Sequence, residues 1–157
     1  MTSLPNQKSA GFFRRLGALL YDTLIIIAIE MIAVGIIIAT MEALVYLGII
    51  NYGHYIDASD LLSHHPIWRW VFHTYIVLVW FGFFSFFWQR GQTLGMRAWK
   101  ITVMNKDGST ISFKQSLIRF CTSFLGLGNL LSIVLPSKKS LQDICAQCQV
   151  VYSSQIR

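Results

Sequence analysis

The chain has 157 residues, of which 54% are hydrophobic and only 13% charged, about half the charged share of an average soluble domain. A domain of this size cannot hide that much apolar surface from water, which argues against an ordinary soluble fold and makes lipid the second solvent. Thirteen Lys and Arg against seven Asp and Glu give a net charge of +6, but the basic residues flank apolar runs instead of forming a stripe, so contact with anionic headgroups is expected and nucleic-acid binding is not.

The first predicted element runs from Leu16 to about Ala39, apolar apart from Asp22 and Glu30 and preceded by Lys8, Arg14 and Arg15. At about 1.5 Å per residue it reaches roughly 36 Å, enough to cross a bilayer with some tilt. It has no small-residue cleavage site and is longer than a signal-peptide core, so a retained anchor is expected. Residues 41–67 contain Glu42, Asp57 and Asp60 but no Lys or Arg, which places this loop outside by the positive-inside tendency. Its His54, His64 and His65 read as imidazoles of a solvated loop, in preference to a metal site shared with the aspartates.

The second span covers about 70–88 and carries no Asp, Glu, Lys or Arg. Trp68 and Trp88, about 30 Å apart along a helix, would mark the two headgroup levels. Residues 89–114 hold Arg90, Arg97, Lys100, Lys106 and Lys114 against Asp107, a basic segment expected on the cytoplasmic side. Within it Lys100–Met104 and Thr110–Phe113 flank an Asp-Gly turn and predict a β-hairpin. Two strands are marginal alone, so the hairpin is expected to recruit a third, the strand candidate at 149–152.

Ser112 and Gln115 form a capping-box pattern, so a helix should start there. The third apolar segment, 116–135, is long enough for another crossing. Gly126–Asn129 interrupts it, however, and Lys138 and Lys139 follow it. A re-entrant helical hairpin returning to the cytoplasmic face is therefore preferred over a third crossing. Ser140 to Asp143 is a further helix start. Cys145 and Cys148 read as small residues with reduced thiols, because a lone CxxC lacks the other two ligands of a zinc site. The fold class expected is thus membrane α-helical: two full transmembrane helices, a third apolar segment and a small cytoplasmic β-hairpin or three-strand element.

Ionisable residues in apolar spans are candidates for function. Arg15 and Asp22 lie on nearly one helix face but about 10 Å apart along the axis, too far for an unaided ion pair. Each therefore needs another partner, and Arg119 is the expected one for Asp22. Such a cluster either staples the helices together or lets Asp22 exchange a proton or cation. Glu30 lies deeper and is the most suggestive single residue for ion handling.

Taken in order, Arg15-Leu-Gly-Ala-Leu-Leu-Tyr-Asp22, Gly91-Gln-Thr-Leu-Gly95, Arg119 and Leu141-Gln-Asp143 before a Val-Val strand resemble the RDD family of small integral membrane proteins, from about Phe12 to Tyr152. The resemblance implies that Arg15, Asp22 and Asp143 are the signature residues, with Arg119 a frequent companion, and that the whole chain, 1–157, is one such membrane domain. Met96 stands where the family often has Lys, and Gln142 where it often has His, so roles tied to those residues are not carried over. The resemblance also implies a transport role, with cation/proton exchange suspected.

The first functional expectation is therefore a small-ion or small-solute transporter in the cell (inner) membrane, multi-pass with a cytoplasmic N-terminus. Two long crossings cannot enclose a pathway, so self-association into a homo-oligomer is expected with it. The alternative is a non-catalytic accessory protein of another membrane complex, with that complex as its partner. No enzyme activity and no cofactor are expected: no nucleophile–base pair or metal cluster is evident, and Gly91 to Gly95 lacks the Gly-Lys-Ser/Thr ending of a phosphate-binding loop.

Overall fold

The computed structural model describes residues 8–123, 128–129, 132 and 139–153. Its elements are α1 (Phe12–Tyr46), α2 (Ala58–His64), α3 (Trp68–Trp88), α4 (Leu94–Ala98), β1 (Ile101–Asn105), α5 (Phe113–Ser123), α6 (Leu141–Cys145) and β2 (Cys148–Tyr152). The choice between a re-entrant hairpin and a third crossing turns on residues after Ser123, most of which lie outside the described ones. The chain divides into two compact units, one of Met1–Ile25 with Phe81–Arg157 and one of Ile26–Trp80.

Among the described residues, two helices are long and apolar enough to cross a membrane. α1 has 35 residues, about 52 Å at 1.5 Å per residue, well beyond a hydrocarbon core of roughly 30 Å. It continues past Ala39, where the first span was expected to end. α3 has 21 residues and matches the hydrocarbon core closely. Only 17% of the most apolar window of either helix is buried, and Leu24, Met31, Ile36 and Leu78 point outward. The core helix of a soluble protein would bury those side chains, so the outward apolar surface fits lipid.

In the Ile26–Trp80 unit, Met41, Ala58, Leu61 and Leu62 form a small core with Trp68 and Phe72 packed against it. The segment 41–67, expected to be a loop, instead begins inside α1 and contains a second helix, α2. Asp57 caps it by accepting from Asp60 N at 2.8 Å, and Asp60 accepts in turn from Ile56 N at 3.0 Å. His64 Nδ1 lies 2.8 Å from Asp60 Oδ1, while His65 Nδ1 accepts from Ile67 N at 3.1 Å. Tyr75 Oη donates to Ala33 O at 3.1 Å, joining α3 to α1.

The other unit is built on a two-stranded antiparallel sheet in which Val103 faces Val150 and Asn105 faces Cys148. The expected partner of β1 was Thr110–Phe113, and this is corrected. The turn does form, with Asn105 N donating to Ser109 O at 2.9 Å and Gly108 at φ +87°. Ser112 then commits the chain to α5: its N–H donates to Gln115 Oε1 at 2.9 Å and its Oγ accepts from Gln115 N at 3.3 Å. That capping box leaves too few residues after the turn to pair as a strand. β2 takes the place, and Ser9 bridges its other edge at Val151.

α4–β1 and α6–β2 are two copies of one small motif. Thr93 and Ser140 are the N-caps of five-residue helices, Lys100 and Gln147 both adopt φ 53°, and a five-residue strand follows each. Every equivalent pair is offset by 47 residues, from 93 and 140 to 103 and 150, and Val103 pairs with Val150. A local twofold axis therefore passes through that pair.

Candidate functional site

α6 begins a turn before Asp143, and this position lets one carboxylate do two jobs. Asp143 Oδ2 accepts from Ser140 N at 3.2 Å, closing the first turn. It also lies 2.7 Å from Arg15 Nη1, while Oδ1 lies 2.7 Å from Arg119 Nη1. Arg15 comes from the start of α1 and Arg119 from α5, so a single aspartate joins three helices. Arg15 is fixed further by donation from Nε to Ala10 O at 3.0 Å and from Nη1 to Ser140 Oγ at 3.2 Å. Arg119 Nη1 donates to Cys148 Sγ at 2.7 Å, and its guanidinium carbon stands 5.1 Å from the Trp88 ring centroid.

Every member of this network is buried. Burial alone pushes the Asp143 carboxyl up, but the guanidiniums of Arg119 and Arg15 outweigh it and hold the group below the usual carboxylate value. Burial pushes the Cys148 thiol up, against the pull of Arg119, so the sulfur acts as a neutral acceptor. Two guanidiniums thus share one carboxylate. Nε and Nη2 of Arg119 have no hydrogen-bond partner among the described residues, and stacking on Trp88 supplies part of the compensation.

Asp22 belongs to a different contact, which corrects the expectation that Arg119 is its partner. Thr93 Oγ1 donates to Asp22 Oδ2 at 2.5 Å and Gly95 N donates to Oδ1 at 2.7 Å. Thr93 Oγ1 also accepts from Met96 N at 3.1 Å, so the same hydroxyl caps α4 and holds α1. A carboxylate aimed at free N–H groups of a helix start needs no cation to be satisfied. Gly95 is obligatory here, because a Cβ would stand 2.2 Å from Ala18 O and 2.9 Å from Asp22 Cγ.

The two repeated motifs are therefore both pinned to the first turns of α1, one by Asp22 at Thr93 and the other by Arg15 at Ser140. Glu30 takes part in neither contact. Its two carboxylate oxygens are shielded from solvent and have no hydrogen-bond partner among the described residues. Of the candidate residues, Arg15, Arg119 and Asp143 come together, Asp22 is held by Thr93 and Gly95, and Glu30 belongs to the Ile26–Trp80 unit. Thr93 and Gly95 could be found through the Gly91–Gly95 motif, whereas nothing in the sequence marks Cys148 or Trp88 as companions of Arg119.

The RDD family is the family whose sequence model matches, over residues 9–147. A curated relative, the uncharacterized protein YckC of Bacillus subtilis (strain 168), is 28% identical over 94% of this chain and 87% of its own length. No solved structure matches the chain significantly.

Proposed function

This chain belongs to the RDD family, and from that premise we propose that it is a transporter of small ions or small solutes, with Glu30 as its proton- or cation-accepting group. The observation that carries this reading is the Glu30 carboxylate, shielded on both oxygens and without a hydrogen-bond partner among the described residues, in a helix long and apolar enough to cross a membrane. An intramembrane carboxylate with no structural partner is costly, and a function is the usual reason for retaining one. Asp22, by contrast, has both oxygens engaged and serves as a pin.

The protein works as a homo-oligomer, because the two long helices among the described residues cannot enclose a pathway. It lies in the cell membrane as a multi-pass protein with its N-terminus and basic segment in the cytoplasm, supported by the positive-inside tendency. It is not an enzyme and uses no cofactor. An accessory role in another membrane complex is the second reading, favoured by the exposed Arg90, Arg97, Lys100, Lys106 and Lys114. The two separate on reconstitution of the purified protein into vesicles with an internal pH-sensitive dye. Cation-driven proton movement above that of empty vesicles supports transport; its absence, with a membrane protein co-purifying, supports the accessory role.

A further inference from the structure

α5 is inside out. At about 100° per residue, Phe113, Leu117, Cys121, Lys114 and Ile118 share one arc of roughly 140°, and all five are exposed. The opposite arc holds Gln115, Ser116, Arg119, Thr122 and Ser123, every one polar. Phe113, Leu117 and Ile118 are 54%, 46% and 41% exposed, while Ser116 and Arg119 are both at 0%. A helix bordering water arranges these faces the other way round.

Each residue of the polar face makes at least one hydrogen bond within the protein. Gln115 Nε2 donates to Asn105 Oδ1 at 2.7 Å and to Ala146 O at 2.9 Å, and Arg119 is held by Asp143 and Cys148. Thr122 Oγ1 and Ser123 Oγ fold back onto Ile118 O and Phe120 O at 2.7 and 2.9 Å. The capping box closes the N-terminal end. Little polarity is left for water to solvate on this helix, apart from Lys114.

Position along α3 supplies a second argument. Phe113 and Phe120 stack edge-on against Phe81, at 5.5 and 5.3 Å between ring centroids. Phe81 is seven residues from the Trp88 end of α3, so it lies about 10 Å along the helix from that end. With α3 spanning the hydrocarbon core, Phe81 is among the acyl chains, and the helix packed across it is at the same depth.

We propose that α5 is a membrane-embedded helix whose outer face, Phe113, Leu117, Ile118 and Cys121, is solvated by lipid acyl chains, with Lys114 reaching back to the headgroups. The occupant is lipid and not a second copy of the chain. A twofold contact through this face would bring two Lys114 side chains together in an apolar setting, whereas in lipid a single lysine extends to the interface along its own stem. The exposed apolar surface of α3 at Leu78 and Phe86 is of the same kind. The inference rests on membrane insertion of α3 and not on transport.

Cys121 provides the test, since it is exposed while Cys148 is buried. A nitroxide is attached at Cys121 in the Cys145→Ser protein reconstituted in vesicles. Its collision rates with oxygen, which concentrates in lipid, and with a water-soluble nickel chelate are compared with two references. These are Leu78→Cys and Ser109→Cys, each made with Cys121→Ser and Cys145→Ser. The expected oxygen-to-nickel ratio at Cys121 matches that at position 78 and exceeds that at position 109 several-fold. A ratio matching position 109 overturns the proposal, and so does low accessibility to both agents with spin–spin broadening, the sign of a second copy. A water-like ratio at position 78 overturns membrane insertion and the proposal with it.

Discussion

Replacing Gly95 with Ala should be the most damaging Gly→Ala change among the described residues. The added Cβ would stand 2.2 Å from Ala18 O and 2.9 Å from both Cγ and Oδ1 of Asp22. Ala18 O is backbone and the Asp22 carboxylate is held by Thr93 and Gly95, so α4 must back away from α1 by about 1 Å to restore ordinary contact at roughly 3.4 Å or more. Overpacking of this kind typically costs about 1–3 kcal/mol. The retreat also stretches the Gly95 N and Thr93 Oγ1 bonds to Asp22, now 2.7 and 2.5 Å, and a hydrogen bond to a charged group contributes about 1.5–3 kcal/mol. Helix propensity returns up to about 1 kcal/mol. A net loss of about 2–5 kcal/mol follows from those ranges. The assay is the half-life of folded protein at fixed temperature in detergent, which suits irreversible unfolding. Gly82→Ala is the control, because a Cβ there meets nothing within 4 Å. Equal half-lives for the two variants would refute the close approach of α4 to α1.

Other substitutions sort by the same physics. Asp143→Asn leaves Arg15 and Arg119 buried without their carboxylate and should destabilise by about 3–5 kcal/mol, read as lost folded yield and a shortened half-life. Gly17→Ala should be milder than Gly95→Ala although its Cβ would meet the Trp99 ring at 2.3 Å, because Trp99 is 42% exposed and can swing aside; a half-life as short as that of Gly95→Ala would contradict this. The folded value of Asp143 lies below its ordinary 3.8, so its contribution is present above the unfolded value and lost as pH falls through the folded one. Stability should therefore hold down to about pH 4 and fall below it, and Asp143→Asn should weaken that acid limb.

Much of the architecture was legible because it follows from local pattern. Two charge-poor apolar runs gave α1 and α3, and the capping boxes at Ser112 and Ser140 gave the starts of α5 and α6. The expected β-hairpin does not form for a definite reason: Asp107-Gly108 does turn the chain, but a capping box four residues later outcompetes strand pairing. The strand candidate at 149–152, expected as the third strand of the hairpin, is β2 itself, and it pairs with β1 directly from more than forty residues away. The 47-residue repeat is not legible as sequence similarity, because its two copies share caps, a left-handed residue and apolar positions but few identities. At the site, the sequence correctly denied an Arg15–Asp22 pair, yet it assigned Arg119 to the wrong aspartate. Helix spacing says which residues share a face, but it does not say that a hydroxyl and a backbone N–H can replace a cation.

The division of labour between pinning residues and Glu30 is the central claim, and ion flux through the Glu30→Gln protein tests it most directly. Wild-type and variant proteins, matched for folded amount, are reconstituted and followed with an internal pH-sensitive dye while a cation gradient is imposed. Gln keeps the size of Glu and removes the ionisable group, so folding should be retained while proton movement falls to the level of empty vesicles. Wild-type flux through Glu30→Gln would contradict the assignment and leave Glu30 without a role in transport.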